Sequence, residues 1–415
     1  MTRQLLTGNA AAAWGARLGQ ASYLPAFPIT PQTEIIETVS RWSSAGEMAC
    51  RTVMLESEHS MITAAGAAAA AGVRVFTATS SQGLLYGMEM LYTVAGWRVP
   101  FVMVNVSRGL AAPITLEPDH NDVLAARDSG ILQFHCATCQ EVVDAVLLAY
   151  RISEDQKVRL PAIVNLDGFY LSFTREPVTL PDADKVPAFL PAYANIAGGM
   201  QADHPTSRAV AVLGGSPYSY FRYETHLSAL AALEVFAVAA NDFEAQFDRR
   251  YQAVQCYRND DAEISIVMIG SFATKAMDAV DRLRAAGQKV GLVRPFLLRP
   301  YPEIELRAAL SGKAAVIVVD QNLAPGRGGI LHGEVTSTLY GHPNAPDKVL
   351  SFIGGLGGRD IAAEEFFEMV AEARKSIAGS VMPPPRLLYS EPELREMRKL
   401  QAVAHVERAG EVGEI

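Results

Sequence analysis

Side chains able to do chemistry fall into a few short stretches. In "MLESEHSMITAAGAAAAAG", residues 54–72, two carboxylates, Glu56 and Glu58, and His59 lead into a run of alanines. Alanine is the strongest helix former, and a helix clad in it packs close to its neighbours. A carboxyl at the mouth of such a helix has two readings. It is a first-turn acid favoured by the helix dipole, or it is a desolvated acid with a raised pKa, suited to holding a proton. Residue types alone favour the first. Arg108 follows the apolar run "VPFVMVNVS" and presents two parallel donors suited to a carboxylate. The ends of strands in open α/β sheets are where ligands sit, which weighs against an idle surface arginine. Asp119, His120 and Asp122, in "DHNDVLAARDSG", have the residue types of a metal cluster. Cys136 and Cys139 form a CxxC pair, but zinc needs a second ligand pair and a cubane cluster needs four thiolates. Cys50 and Cys256 are isolated, so the pair reads as small residues opening the apolar helix "QEVVDAVLLAYRI". A lone histidine near a helix start, as His59 is, reads as structural.

The elements that must position these groups read as α/β. "GNAAAAWGARLGQ" is a helix. "ASYLPAFPITPQTEIIETVSRW" gives a short strand, a Pro-bounded loop and a helix, with Thr30 as N-cap and Pro31 at the first helical position. "VRVFTATSS", "VPFVMVNVS" and "PAIVNLDGF" are strands with near-continuous apolar cores, and "GLLYGMEMLYTVAG" is a helix between two of them. Such alternation predicts parallel sheets covered on both faces. Near residue 175 the chain becomes Pro-rich and loses periodicity, as a linker or wrapping segment would. "RAVAVLGGSPYSYFRYETHLSALAALEVFAVAANDFEAQFDRRY" reads as a short inserted unit. A second α/β unit starts near 259, and the charged tail "EPELREMRKLQAVAHVERAGEVGEI" lacks a core face and is expected to order against a partner. The expected division is 1–175, 176–258, 259–385 and 386–415.

The chain's 415 residues suffice for two or three domains, and 49% hydrophobic with 20% charged residues is an ordinary globular composition. A net charge of −9 argues against a nucleic-acid-binding surface. No run of 18 uncharged apolar residues is present, so no membrane span is expected. The first residues lack a signal peptide's apolar core, and the few cysteines suit a reducing compartment, so a cytoplasmic protein is expected.

Taken together, "FPITPQTEIIE", "ESEHS", "TATSSQGL", "SRGLAAP", "DHNDVLAARDSG", "NLDGF", "RPF…RPYPEIEL" and "GLGGRD" occur in one order along the chain. They resemble the α subunit of the 2-oxoacid:ferredoxin oxidoreductases, the pyruvate:ferredoxin oxidoreductase family, from Gly8 to about 375. The resemblance implies two open, mostly parallel sheets: a pyrimidine-binding domain of a thiamine diphosphate enzyme, then a domain like the C-terminal domain of transketolases. It assigns Glu58 the hydrogen bond to the thiamine pyrimidine nitrogen, which favours the imino tautomer that takes the proton from the thiazolium ring. Glu56 then has a structural role. By the same likeness Thr30 and Arg108 meet the substrate carboxylate, and Ile29, Ser81 and Gln82 lie beside the cofactor. Residues 119–122 belong to a subunit-contacting loop near the site, without a metal.

No "GDG…N" diphosphate motif is present, and "GGLGGRD" lacks the GxGxxG order of a nucleotide loop. The resemblance therefore implies half an active site. A β subunit would hold the diphosphate and Mg²⁺, and a γ subunit, a ferredoxin-like iron–sulfur subunit and, in some assemblies, an NAD-linked flavoprotein would complete the complex. The implied reaction is oxidative decarboxylation of a 2-oxoacid, with coenzyme A as acyl acceptor and electrons passed to iron–sulfur clusters. Pyruvate is the default substrate. Phe27, in place of the usual tyrosine before "PITP", keeps an aromatic 2-oxoacid such as phenylglyoxylate open, with branched 2-oxoacids and oxalate beside it. Two rivals remain: a transketolase-like or 2-oxoacid dehydrogenase β-type chain, and a non-catalytic scaffold of the same fold.

Overall fold

The computed structural model describes residues 2–193, 203, 205–207, 210–379 and 382–412. Parts of the Pro-rich stretch after 175, and residues 413–415 of the tail, lie outside the described residues.

The first half of the chain begins with strand β1 (Thr2–Thr7), helix α1 (Gly8–Leu18), strand β2 (Tyr23–Ala26) and helix α2 (Thr33–Ser44). Strand β3 (Arg51–Met54) leads into the alanine-rich helix α3 (Glu58–Ala70), whose N-cap Ser57 accepts the Ser60 N–H. Strand β4 (Phe76–Thr79), helices α4 (Ser81–Tyr86) and α5 (Met88–Gly96), strand β5 (Val102–Ser107), helix α6 (Asn121–Ala125) and strand β6 (Leu132–His135) follow. Helix α7 (Cys139–Ser153) and strand β7 (Ala162–Asp167) complete the central layer. Strands β4, β5, β7 and β6 run parallel side by side. Their residues are buried throughout, as strands covered on both faces must be. The parallel pair β2–β3 continues this layer through a bridge from Tyr23 to Val75. The alanine face of α3 has a visible use: a Cβ added at Gly66 would lie 2.6 Å from Val94 Cγ1 of α5, so small residues there let the two helices close up.

Strand β8 (Arg175–Leu180) turns back to pair with β1, Thr2 opposite Leu180, and is followed by helix α8 (Val186–Phe189). The stretch read as a short inserted unit is dominated by one long helix, α9 (Ser216–Phe247). No glycine or proline interrupts it after Pro217, so nothing stops its propagation. Among the described residues it is one helix long and apolar enough to cross a membrane by length and composition, with a third of its most apolar window buried. Its Phe236, Phe243 and Phe247 lie in the core against Phe134, Phe189, Tyr251 and Phe296.

The second half forms a six-stranded sheet from strand β9 (Val254–Tyr257), strand β10 (Ile264–Val267), strand β11 (Val290–Pro295), strand β13 (Ala315–Asp320), strand β14 (Val349–Ile353) and strand β15 (Arg386–Leu387). Their order is β15-β14-β13-β10-β11-β9, parallel except at β9. Helices α10 (Ala273–Ala285), α11 (Glu303–Leu310), α12 (Ile330–Leu339) and α13 (Ala363–Ala378) cover it. The expected α/β class with two mostly parallel sheets therefore holds. The tail forms helix α14 (Glu391–Val412). Its first turn is held within the chain, Arg359 Nε donating to Glu393 Oε1 at 2.8 Å.

The two sheets are interlocked. Strand β12 (Leu297–Arg299), contributed by the second half, adds antiparallel to the edge strand β6 of the first sheet. One buried apolar cluster runs from Met61, Ile62 and Val94 to Val293, Leu306 and Leu331. Arg294, at 2% exposure, donates to the Glu141 carboxylate of α7, Nη1 to Oε2 at 2.9 Å with a second bond from Nη2, and to the Gln255 amide oxygen. A buried carboxylate deprived of its cation costs more than the pair is worth. Arg294→Ala is therefore expected to lower stability by about 3–5 kcal/mol, and Arg294→Met with Glu141→Leu by much less. Urea denaturation of the three proteins checks this; an unmoved midpoint for Arg294→Ala would remove the pair from the account of interlocking.

Candidate functional site

Glu58 is the first residue of α3 and is 4% exposed. Burial raises its pKa, with only its own backbone N–H opposing. The carboxyl faces helix α4: a Cβ added at Gly83 would lie 2.3 Å from Glu58 Oε1 and 2.6 Å from Thr79 Oγ1. Gly83 is thus the cradle that admits this acid. Glu56 is different. It is exposed, accepts the Ser60 hydroxyl and has its pKa lowered chiefly by that bond. His59 is half-exposed and lies 3.6 Å from Glu89 Oε2 on α5.

Gln82, one residue before Gly83, connects this acid to Arg108. Its Oε1 accepts the Ser81 hydroxyl at 2.7 Å and Arg108 Nη2. Since guanidinium and hydroxyl both donate to it, the amide orientation is fixed. Arg108 is 5% exposed and donates through Nη1 to the Thr30 carbonyl at 2.7 Å. Burial lowers its pKa, and the Asp122 charge opposes this. Thr30, Gln82 and Arg108 are therefore brought together, with Glu58 behind Gly83. Ile29 is half-buried, and its carbonyl accepts the Gln32 N–H at 3.0 Å. That turn corrects the expected helix start. The helix begins at Thr33 with Gln32 as N-cap, because residues 29–32 close on themselves and the Gln32 amide donates to the Phe27 carbonyl. Thr30 instead is exposed and offers its carbonyl to Arg108.

Asp122 was expected in a subunit-contacting loop. Its side chain and that of His120 have no exposed surface, because both are wired into this chain. Asp122 Oδ2 accepts the Ser81 N–H at 3.0 Å, the Asn105 amide at 3.1 Å and the Arg108 N–H at 3.3 Å. Its Oδ1 accepts the Ser107 hydroxyl at 2.6 Å and the Val123 N–H at 2.7 Å. His120 Nε2 lies 2.7 Å from Asp167 Oδ1, and the Ser271 N–H of the second half donates to Asp167 Oδ2 at 2.8 Å. Burial opposes ionisation of both partners, yet their mutual attraction wins: His120 is raised and Asp167 lowered. Among the described residues no group of three His, Cys, Asp or Glu is arranged to hold a metal. Sequence reasoning missed the roles of Asp122 and Asp167, since an aspartate in the first turn of a short helix, or at the end of a strand, carries no signal separating a solvated acid from a buried acceptor. Cys136 and Cys139 are buried free thiols, pushed up by burial, so neither is poised as a thiolate.

The comparisons with known proteins meet this geometry directly. A family model described as pyruvate flavodoxin/ferredoxin oxidoreductase, thiamine diphosphate-binding, matches residues 15–237, which contain Glu58, Gln82 and Arg108. The chain belongs to this family. A second model, pyruvate:ferredoxin oxidoreductase core domain II, matches residues 262–366. The chain is 39% identical over 370 residues to pyruvate synthase subunit PorA of Methanothermobacter thermautotrophicus, covering 89% of this chain and 95% of the relative. It is 37% identical to pyruvate synthase subunit PorA of Pyrococcus abyssi, over 92% of this chain and 96% of that one. It is 35% identical to ketoisovalerate oxidoreductase subunit VorA of Pyrococcus horikoshii, over 91% and 95%. Among solved structures, the 2-oxoglutarate:ferredoxin oxidoreductase from Magnetococcus marinus aligns with TM-score 0.68 and 20% identity, over 89% of this chain and 65% of that chain. A split-gene transketolase aligns with TM-score 0.52 and 12% identity, over 90% and 99%. These two likenesses speak for the fold, which the family resemblance had predicted.

The donor set fits the cofactor named by the family model. A buried carboxyl with a raised pKa suits a neutral or weakly basic ring nitrogen, and Thr79 Oγ1, which shares the Gly83 cradle with it, is buried without a partner, as are Ser80 Oγ, Gln82 Nε2 and Arg108 Nε in the adjoining segments. Gly83→Ala tests the cradle. Its methyl group would meet the Glu58 carboxyl, so thiamine diphosphate affinity of the assembled complex is expected to fall at least about tenfold, as loss of a strong charge-assisted hydrogen bond would give. Isothermal titration measures it, and circular dichroism should show the fold intact; unchanged affinity would detach Gly83 from the site.

Proposed function

We propose that this chain is the α subunit of a thiamine diphosphate-dependent 2-oxoacid:ferredoxin oxidoreductase, and that its own share of the active site is Glu58, Gln82, Arg108 and the 29–31 turn. The observation that carries the reading is the desolvated Glu58 carboxyl, opposed only by its own backbone N–H and cradled by Gly83 inside the segment matched by the thiamine diphosphate-binding model. The cofactor supplies the carbanion chemistry when bound. The chain's residues do the rest. Glu58 holds a proton against the pyrimidine ring nitrogen, an interaction strengthened by the dry surroundings. Ser81 and Ile29 flank the cofactor. Arg108 and Thr30 orient the substrate carboxylate, and the guanidinium's planar donors suit that task.

Pyruvate is the substrate that the relatives' names support best, and coenzyme A the acyl acceptor. A branched 2-oxoacid is second, since the ketoisovalerate subunit is nearly as similar. Phe27 speaks only weakly for an aromatic substrate, because its ring packs on the apolar cluster of Met61 and Ile62. The loop after Arg108 supports a shared site. Ile114 and Leu116 on it are 74% and 46% exposed, and exposed apolar groups beside a binding site suit a partner surface. A β subunit carrying the diphosphate and Mg²⁺, a γ subunit and an iron–sulfur subunit complete the proposed assembly, in which this chain alone is inactive.

Glu58→Gln keeps the shape and removes the acid. In the purified complex it is expected to lower kcat by about 10²-fold or more, the usual range for a general acid–base group. A complex that turns over 2-oxoacids at the wild-type rate with Gln at 58 would make the chain a scaffold. For Arg108→Ala the expectation is a rise in KM for the 2-oxoacid of about tenfold or more, from loss of a charged hydrogen-bonding pair, with KM for coenzyme A unchanged. Steady-state kinetics with pyruvate, 2-oxoisovalerate and phenylglyoxylate separate the substrates in the same experiment.

A further inference from the structure

Arg108 and the Ser81–Gln82 turn come from different strand ends, yet their side chains meet, and one carboxylate lies under both. Ser81 is held in the left-handed region at φ +48°, a conformation that a serine adopts only when its surroundings fix it. Its N–H donates to Asp122, and its hydroxyl shares its one proton between the Gly109 carbonyl at 2.9 Å and the Gln82 amide oxygen at 2.7 Å. The Arg108 N–H and the Ser107 hydroxyl bind the same Asp122 carboxylate. Asp122 is itself held from the far side. The His120 N–H donates to the Gln321 carbonyl at 2.8 Å, and the Asn121 amide oxygen accepts the Leu323 N–H at 3.1 Å.

We propose that Asp122 is a positioning residue for substrate recognition: by gathering the Ser81, Ser107 and Arg108 donors on one buried carboxylate, it sets the Gln82 amide and the Arg108 guanidinium in one mutual arrangement. The inference rests on the reading of Arg108 as the carboxylate-binding group. An aspartate is required because five donors converge on two oxygens. An asparagine offers one oxygen and would turn its NH₂ toward N–H or O–H donors. Asp122 has no exposed surface of its own, so its effect on a ligand passes through Arg108.

A double-mutant cycle in the assembled complex tests this. Asp122→Asn should raise KM for the 2-oxoacid roughly tenfold, the scale of a lost charge-assisted hydrogen bond, with a much smaller change in kcat. Ser107→Ala, a milder change that removes one donor, should move KM the same way by about threefold. In an Arg108→Ala background Asp122→Asn should add no further rise. A second arm does not depend on activity. Wild-type Arg108 should resist modification by butane-2,3-dione in borate, read by mass spectrometry, and Asp122→Asn should expose it. The proposal is overturned if the two KM effects add in full, or if Asp122→Asn, or Ser107→Ala should the first variant not fold, leaves both KM and Arg108 protection at wild-type values. If the wild-type complex turns over no 2-oxoacid, the functional reading fails, and the butanedione arm alone decides whether Asp122 holds Arg108.

Discussion

Polar groups sealed at the carboxyl ends of parallel strands must find partners inside the protein, and this requirement shapes everything around the site. Asn105, Asn165 and His135 are side-by-side neighbours across β5, β7 and β6, and Ser107 stands opposite Asp167 two residues further on. All five are buried. Away from water an unpaired polar group is costly, and an unpaired charge more so. The strand ends therefore draw in other segments. Asp167 takes His120 from the first half and Ser271 from the second, while Asn105 and Ser107 reach Asp122. These demands fix the segments that reach the sheet's edge.

The His120–Asp167 pair shows how the two halves share the work. Burial disfavours the charge on each, and each charge offsets the other's cost. His135, at 5.9 Å between ring centroids from His120, has no such partner; burial first, then the neighbouring His120 charge, holds its pKa down at about 3. The two adjacent histidines are thus shifted in opposite directions, because only His120 is hydrogen-bonded to a carboxylate. The pair sits where the Gly270–Ser271 turn enters the first sheet's end. The second half, with β12 added to the first sheet, is in this sense a buttress for the segment 119–122 and so for Arg108.

How much of this was legible in the sequence depends on what each element relies on. Buried parallel strands announce themselves, since "VPFVMVNVS" and "PAIVNLDGF" need apolar residues on both faces. The alanine helix with Glu58 at its mouth was also plain, and Gly83 beside it belonged to a motif already singled out. Helix α9 was not legible. Its Tyr218, Tyr220, Tyr223 and Leu227 are exposed while Phe236 and Phe243 are buried, so apolar residues lie on more than one side and blur the period. Strand β1 was missed because its pairing with β8 joins segments far apart in the chain. The Thr30 cap failed for a local reason: the 29–32 turn uses the backbone groups that a cap would have served. Asp122 was quoted in a motif, yet its five donors come from three segments, and no spacing rule encodes a convergence made by folding.

Glu58 remains the odd group among these acids. Asp122 and Asp167 are buried and amply satisfied; Glu58 is buried, its pKa is raised, and its carboxyl meets little beyond its own N–H. A fold selected for stability alone would place an apolar side chain at the start of a helix whose face is alanine, since desolvating a carboxyl without a partner costs free energy. Its neighbours repeat the pattern, with Thr79, Ser80 and Gln82 each holding a buried polar atom that nothing in the chain satisfies. A cluster of such imbalances in one place, beside a glycine that keeps the space open, is the physical mark of a surface completed by something else. On the proposed reading the cofactor and the partner subunit would balance it together, and the neutral acceptors that hold Arg108, the Thr30 carbonyl and the Gln82 amide oxygen, are ones that a substrate carboxylate would outcompete.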